Sequence, residues 1–205
     1  MNISGTLNVF RLLRDPTLCL PHVIVSTFNQ LPVPLSNAEN SVDIRAIVLD
    51  KDNCFAVPHQ NEVYEAYKEK FKALRSAYPG SRLLIVSNTA GTRSDPSHKE
   101  AELLERNTGV AVLRHNTKKP GCHSEILSYF RQANDVEITS PGQIAVVGDR
   151  LFTDVMMANL MGATGVWVRD GAVGRNSLFA RTENTLFEFL RRKGYNPPEP
   201  RSIFE

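Results

Sequence analysis

Two carboxylates separated by one residue follow a short apolar run. Asp50 and Asp52 come directly after residues 46–49, Ala-Ile-Val-Leu. A continuous apolar run of this length predicts a strand buried on both faces of a parallel α/β sheet, and such sheets place their chemistry beyond the carboxyl ends of the strands. Adjacent carboxylates repel each other unless a cation neutralises them. A hard divalent ion such as Mg²⁺ suits the pair, and an aspartate can also act as a nucleophile. A single pair of this kind is more often a solvated turn, so its interpretation depends on the rest of the chain.

Three further motifs occur downstream of the aspartate pair. Ser87 and Asn88 end a second apolar run, Lys119 lies in the sequence Thr-Lys-Lys-Pro-Gly, and Asp149 and Asp154 follow a third apolar run in Gly-Asp-x4-Asp. The chain therefore presents carboxylates, a hydroxyl, an ammonium and again carboxylates, in that order, and the first, second and last of these groups close predicted strands.

This order resembles the four motifs of the haloacid dehalogenase (HAD) phosphohydrolase superfamily. The segments VLDKDNC, LLIVSNTAG, RHNTKKPGCH and VVGDRLFTDVMMANLMGATGVWVRDG further resemble the eukaryotic mitochondrial phosphatidylglycerophosphatases, over roughly residues 1–175. That resemblance implies a Mg²⁺-dependent phosphomonoester hydrolase that removes the terminal phosphate of phosphatidylglycerol phosphate on the route to cardiolipin. It also implies a peripheral location on the matrix side of the mitochondrial inner membrane.

The resemblance assigns catalytic roles to individual residues. Asp50 is the expected nucleophile, which forms an aspartyl phosphate, and Asp52 is the expected general acid and base, because the second step reverses the first. Lys119 neutralises the phosphoryl group and orients Asp50. It is chosen over its neighbour Lys118 because the family pattern is Lys-Pro.

The remaining expected roles concern the phosphate and the metal. Ser87 and the backbone of Asn88 are expected to bind the phosphoryl oxygens together with Lys119. Asp154 lies in or just behind the ligand shell, where it supports Asp149 or the lysine. The expected metal set is Asp50, Asp52 through its carbonyl, Asp149 and Asp154. Four residues are candidates to bind the lipid headgroup: Arg93, Arg114, His115 and Arg150. Each is equally typical of a solvated surface charge.

Composition narrows the function classes. The net charge of +2 argues against a nucleic-acid-binding protein. The three cysteines form no zinc-binding pattern and no Cys-x5-Arg phosphatase signature, and they favour a reducing compartment. No run of about 20 apolar residues is present, so no membrane-spanning segment is expected.

Strand and helix patterns alternate from residue 46 onward. They predict a three-layer α/β sandwich with a mostly parallel sheet of five strands and no cap domain. The family resemblance implies that this sheet is Rossmann-like. An open site of this kind suits a lipid in a bilayer or a macromolecule. Ser97 and Glu100 predict a capping box at the start of the second helix. The predicted strands are residues 46–49, 83–86, 110–113, 144–147 and 165–168.

Residues 1–40 are predicted to form a separate amphipathic segment, and residues 41–205 to form the phosphatase domain. Ile3, Leu7, Phe10 and Leu13 recur at helical spacing beside basic residues, in a stretch whose single acidic residue before position 36 is Asp15. Three interpretations stay open: contact with an anionic membrane surface, packing against this domain or another subunit in a homo-oligomer, and a cleaved transit peptide.

Two alternative functions compete with a lipid phosphatase. One is a soluble HAD phosphatase that acts on a small-molecule or protein phosphomonoester, and the other is a catalytically silent assembly scaffold. The complete motif set argues against the scaffold. A phosphate-receiver domain is excluded, because it needs its phosphoacceptor after the third strand and a lysine after the fifth.

Overall fold

A parallel sheet with helices on both faces forms the protein. A computed structural model describes residues 11–37, 42–174 and 177–204. Within these ranges, six strands form one sheet in the order β1-β8-β7-β4-β5-β6, with every neighbouring pair parallel, and β2 pairs with β3 in an antiparallel ribbon. In chain order, strands β1 to β8 are Val23–Val25, Ser36–Asn37, Val42–Asp43, Ala46–Leu49, Leu83–Ile85, Ala111–Val112, Ile144–Gly148 and Thr164–Val168.

The helices cover the two faces of the sheet. Ile47 and Leu49 of β4 face one buried cluster, which includes side chains of α1 and α2. Ala46 and Val48 of the same strand face a second buried cluster, with side chains of α3 and α4. This alternation explains why β4 is apolar at every position. Helices α1 to α5 are Lys68–Ala77, Lys99–Thr108, His123–Gln132, Met156–Met161 and Leu178–Arg192.

The predicted fold class is confirmed, with one correction to the strand count. Five strands were expected, but Val23–Val25 joins the sheet as a sixth strand that pairs in parallel with β8. Three residues that precede the predicted domain carry too short an apolar pattern to reveal a pairing partner more than 100 positions away. Strand β8 pairs with β7 along one edge, and β1 supplies the hydrogen-bonding partner along its other edge.

The described residues from 16 to 35 pack into this fold. Phe28 is fully buried, and its ring centroid lies 5.6 Å from that of Tyr67 and 6.4 Å from that of Phe71. Residues 11–14 are helical, with Leu13 80% exposed. Ile3, Leu7 and Phe10 lie outside the described residues, so the role assigned to residues 1–40 in membrane or subunit contact stays a prediction.

The two chain intervals in which a cap domain could lie are fully described. The chain is described without a break from residue 42 to residue 174. The interval from Asp50 to Ser87 contains α1 and β5, and the interval from Ser87 to Lys119 contains α2 and β6, with short turns between them. Neither interval contains an additional domain, as expected for a protein without a cap. None of the helices in the described ranges has the length and hydropathy needed to cross a bilayer.

A buried carboxylate organises the loop between β5 and α2. Asp95 accepts hydrogen bonds of 3.0 Å from the backbone nitrogens of Gly91, Glu100 and Ala101. The predicted capping box at Ser97 is wrong, because Ser97 itself has a φ of 57° and makes no cap. Burial raises the pKa of Asp95, but the three N–H groups lower it by more, so the net pKa lies below its ordinary value of 3.8.

We expect Asp95→Asn to lower the free energy of unfolding at neutral pH by about 1–3 kcal/mol, because an amide oxygen cannot replace both carboxylate oxygens as acceptors. Since the folded-state pKa is depressed, this stability is present above pH 3.8 and is lost as the pH falls through the lower folded-state pKa. Urea unfolding across pH measures it. The control is Asp43→Asn, whose side chain is 73% exposed, and parallel pH profiles for Asp95→Asn and wild type would contradict the interpretation.

Candidate active site

A buried lysine joins two aspartates from different parts of the chain. Lys119 Nζ contacts Asp50 Oδ1 and lies 2.6 Å from Asp154 Oδ1, and all three side chains are at least nine-tenths buried. Asp50 follows β4, Lys119 follows β6, and Asp154 lies in a π-helical turn, Leu151–Val155, between β7 and α4. The sequence motifs thus converge on one charged contact at the carboxyl edge of the sheet.

Hydrogen bonds from backbone nitrogens hold Lys119 and Asp154 in place. The backbone nitrogen of Lys119 donates to Asn88 Oδ1 at 2.8 Å, which ties the lysine to the loop after β5. The backbone nitrogen of Arg150 donates to Asp154 Oδ2 at 3.1 Å. Because both oxygens of Asp154 already have donors, its arrangement fits a residue that positions the lysine. Gly148 lies directly against Asp154, where a side chain would not fit.

A third carboxylate completes the group, which we call the carboxylate cluster: Asp50, Asp149 and Asp154. One oxygen from each lies within 4.8 Å of the others, and all three residues are buried. Asn53 Nδ2 donates to Asp149 Oδ2 at 3.1 Å, and the indole nitrogen of Trp167 donates to the Asp149 carbonyl at 3.0 Å. Neither contact was predicted, since nothing in one sequence indicates which loop residue reaches Asp149.

Electrostatics follow from this crowding. Burial raises the pKa of the Asp50 carboxyl, the charge of Lys119 opposes the rise, and the carboxylates of Asp154 and Asp149 add to it. The same effects have the opposite sign for Lys119. Burial lowers the pKa of its ammonium, and the carboxylates of Asp154 and Asp50 raise that pKa by more. The lysine therefore stays protonated at neutral pH.

The donor chemistry of the carboxylate cluster fits a hard divalent cation. Three buried carboxylates face one buried ammonium, and Arg150 Nε lies 3.8 Å from Asp149 Oδ1 near the surface. Oxygen ligands of this kind suit a divalent metal ion, and a further cation would offset the mutual repulsion of the acids. The residues present are therefore compatible with a divalent metal.

Asp52 is held by a lysine that the sequence analysis did not single out. Asp52 Oδ1 lies 3.0 Å from Lys51 Nζ and accepts a 2.8 Å hydrogen bond from the backbone nitrogen of His59. Lys51 is 1% exposed, and it also donates to the Gln60 carbonyl at 3.1 Å. Lys51 thus connects Gln60 to Asp52, and the backbone of His59 binds Asp52 directly. A lysine between two aspartates in a sequence normally predicts an exposed side chain. The burial of Lys51 and its contact with Asp52 are therefore visible only in the structure.

The phosphate-binding candidates lie at the expected strand end. Ser87 is buried, its Oγ lies 3.0 Å from Thr89 Oγ1, and it accepts a 3.1 Å hydrogen bond from the backbone nitrogen of Thr89. Asn88 lines a cavity of about 190 Å³, the carboxylate cavity. Its lining includes Asp50, Asp52, Asn53, Pro58, His59, Asn88, Thr89, Arg150, Thr153 and Asp154.

The four headgroup candidates separate into two places. Arg150 lines the carboxylate cavity, with 61% of its side chain exposed. Arg93, Arg114 and His115 line a different cavity of about 430 Å³. The structure therefore brings one of the four to the aspartates.

The three other candidates make local contacts. Arg114 Nη2 donates to Glu105 Oε2 at 2.8 Å, and Arg93 Nε donates to Asn116 Oδ1 at 3.2 Å. His115 is 4% exposed, with Nε2 2.9 Å from the Ser87 carbonyl and Nδ1 2.7 Å from the Thr117 carbonyl. Both ring nitrogens of His115 thus lie against backbone carbonyls, and the ring packs beside the Ser87 loop.

Comparison with known proteins adds an independent observation. The family model for the mitochondrial PGP phosphatases matches residues 3–173. The chain is 53% identical, over 93% of its length and 99% of the other, to the mitochondrial phosphatidylglycerophosphatase GEP4 of Saccharomyces cerevisiae. It is 32% identical to a probable mitochondrial phosphatidylglycerophosphatase of Schizosaccharomyces pombe, over 98% of this chain and 97% of that protein.

Among solved structures, a p-nitrophenyl phosphatase from Archaeoglobus fulgidus aligns with 87% of this chain and 70% of its own at 15% identity. The TM-score is 0.26, so this likeness carries no argument about the site.

We expect Gly148→Ala to lower the free energy of unfolding by about 1–3 kcal/mol, because the new Cβ would lie 2.5 Å from Asp154 Cβ and force the cluster to shift. Thermal unfolding checks this. Gly165→Ala on β8 is the matched control, since its Cβ would meet neighbours at 3.4 Å or more, and we expect a change of at most about 1 kcal/mol. Equal losses for the two variants would show that Asp154 is not tightly held.

Proposed function

Because the chain belongs to the mitochondrial PGP phosphatase family, we infer that it removes the terminal phosphate of phosphatidylglycerol phosphate to give phosphatidylglycerol. The predicted class of enzyme, a phosphatase, is confirmed by this membership. We propose that the carboxylate cluster and Lys119 perform the reaction. The observation that carries this proposal is the buried contact of Lys119 with Asp50, beside Asp149 and Asp154.

In the proposed first step, an Asp50 carboxylate oxygen attacks phosphorus and the bond to the glycerol oxygen breaks. Asp52 gives its proton to the leaving alkoxide, so phosphatidylglycerol departs and an aspartyl phosphate remains. Asp52 is suitably placed because it lines the same cavity as Asp50 and is fixed by Lys51 and the His59 backbone. Phosphoryl transfer depends chiefly on such positioning and on charge stabilisation.

In the second step, Asp52 takes a proton from water, and the water oxygen attacks the phosphorus of the aspartyl phosphate. Inorganic phosphate leaves, and the Asp50 carboxylate and protonated Asp52 are restored. Lys119 lies against Asp50 throughout and offsets negative charge on the phosphoryl oxygens. The Ser87 hydroxyl and the Asn88 backbone are proposed to donate hydrogen bonds to those oxygens.

We propose Mg²⁺ as the divalent ion, held by the carboxylates of Asp50 and Asp149 and the carbonyl of Asp52. When bound, it supplies charge neutralisation for the phosphoryl oxygens and for the acids that surround them. Asp154 has its two oxygens on Lys119 and on the Arg150 backbone, so we propose that it supports the lysine from behind the metal ligands.

We further propose a peripheral location on the matrix side of the mitochondrial inner membrane. The names of both relatives contain the word mitochondrial, and the substrate is a membrane lipid. We propose that the N-terminal stripe, which is Ile3, Leu7, Phe10 and Leu13, contacts that membrane or another subunit. Basic residues beside an anionic surface add about 1 kcal/mol each to binding.

Phosphate release from phosphatidylglycerol phosphate tests the function. We expect Mg²⁺-dependent release from the lipid, abolished by a chelator and restored by added Mg²⁺, with a kcat/KM well above that for p-nitrophenyl phosphate. Equal or greater activity on the soluble phosphomonoester would favour a soluble phosphatase, and no release from either substrate would favour an assembly scaffold.

We expect Asp50→Asn to abolish phosphate release while the thermal unfolding midpoint changes little. The amide has nearly the same shape but is not a nucleophile, and the substitution removes one of three mutually repelling carboxylates. Steady-state kinetics and thermal unfolding measure the two effects, with Asp43→Asn as the control. Residual activity within about tenfold of wild type would rule out Asp50 as the nucleophile.

We expect Lys119→Ala to lower kcat by about 10²–10³-fold, which is typical when one preorganised electrostatic group is lost. Lys118, the partly exposed neighbour of Lys119, provides the matched control, because Lys118→Ala should change kcat far less. Because Lys119→Ala leaves buried acids uncompensated, kcat is measured below the unfolding temperature of each variant. The reverse ranking of the two variants would transfer the role to Lys118.

A further inference from the structure

Three large apolar side chains beside the active site are exposed to solvent. Val173 in the segment after β8 is 42% exposed, and Leu178 and Phe179 in the first turn of α5 are 80% and 76% exposed. We call these three residues the apolar edge. Ala180, Phe187 and Leu190 form the buried face of α5, so the core does not use Leu178 and Phe179.

The apolar edge is continuous with the catalytic centre. Val173 and Phe179 line a cavity of about 490 Å³ that also includes Asp149 of the carboxylate cluster. This cavity shares Asn53, Pro58 and Arg150 with the carboxylate cavity. Asn53 fixes the junction, because its side-chain nitrogen donates to Asp149 and its side-chain oxygen accepts a 2.9 Å hydrogen bond from the Val173 backbone nitrogen.

The charges along this path suit an anionic phospholipid. Arg150 lines both cavities and is largely exposed. Arg150 therefore lies at the junction of the carboxylate cavity, where a terminal phosphate would react, and the cavity that Val173 and Phe179 line. An anionic phosphodiester located between a terminal phosphate and acyl chains matches that order, because cation and apolar surface follow one another in the same sequence.

We propose that the apolar edge rests in the surface of an anionic phospholipid bilayer and directs the substrate headgroup past Arg150 into the carboxylate cavity. This inference rests on the proposed function. It assigns membrane contact to Val173, Leu178 and Phe179, in addition to whatever contact the N-terminal stripe makes. Burial of large apolar side chains at the boundary between headgroups and acyl chains is the main contribution to such binding.

Vesicle flotation of the full chain tests the edge. Binding to mixed vesicles of phosphatidylcholine and phosphatidylglycerol is measured for wild type and for Leu178→Gln/Phe179→Gln. The double substitution removes apolar area without adding charge. Gln is a good helix former, and neither residue lines the carboxylate cavity. We expect at least ~10-fold weaker vesicle binding, given the usual gain from burying such side chains.

Hydrolysis of p-nitrophenyl phosphate in the same variant should keep its kcat/KM within about twofold of wild type, while release from phosphatidylglycerol phosphate in vesicles falls with the binding. Phe189→Gln is the matched control, because Phe189 is on the same helix, is 55% exposed and lines neither cavity. We expect it to bind vesicles like wild type.

Several outcomes would overturn the proposal. The proposal is wrong if the double variant binds vesicles like wild type, or if Phe189→Gln loses as much binding as the double variant. It is also wrong if the molecular mass of the double variant falls while its vesicle binding is unchanged. Loss of binding by Leu13→Gln, with binding of the double variant unchanged, would transfer the contact to the N-terminal segment. In each case, wild-type release from phosphatidylglycerol phosphate shows that the proposed function still holds, and its absence shows that the function itself has failed.

Discussion

The ammonium of Lys119, buried between Asp50 and Asp154, is the interaction on which the rest of the site depends. Taking a charge out of water costs several kcal/mol unless partners of opposite charge compensate for it. Here the partners are carboxylates whose own burial would be unfavourable without the lysine. Removal of the lysine would leave buried carboxylates uncompensated, so sheet, turn and loop must hold the three groups together.

The neighbouring structure supplies that constraint through backbone contacts. β4 lies between β7 and β5, which brings three strand ends to one edge. The π-helical turn after β7 aims Asp154 back across Gly148, and Asn88 holds the backbone of Lys119. π-helical turns are rare and occur frequently at functional sites. Backbone hydrogen bonds and close packing therefore hold the charged groups in place, which is the arrangement that the proposed electrostatic catalysis needs.

An uncapped site is consistent with the lipid that the family dephosphorylates. Short connections between β4, β5 and Lys119 leave the strand ends accessible. A soluble substrate would gain nothing from an exposed apolar surface beside the aspartates, whereas a lipid keeps its acyl chains in the bilayer while its headgroup reacts. Exposed apolar groups that adjoin a polar cavity frequently mark such an interaction surface. Under the proposal, the position of α5 beside the cavity that contains Asp149 has a functional reason.

The sequence by itself determined the chemical groups, their order along the chain and the fold class. Apolar runs and turn residues are local signals, which is why strand β4 was predicted at its observed bounds and Asp50, Ser87 and Asp149 at strand ends. Tertiary structure alone decided which distant groups meet. The pairing of Val23–Val25 with β8, the Asn53–Asp149 contact, the burial of Lys51 and the separation of Arg150 from Arg93, Arg114 and His115 all depend on it. The sequence of a short strand or of a loop does not indicate which distant residues it will contact, because burial and charge compensation in the folded protein determine that contact.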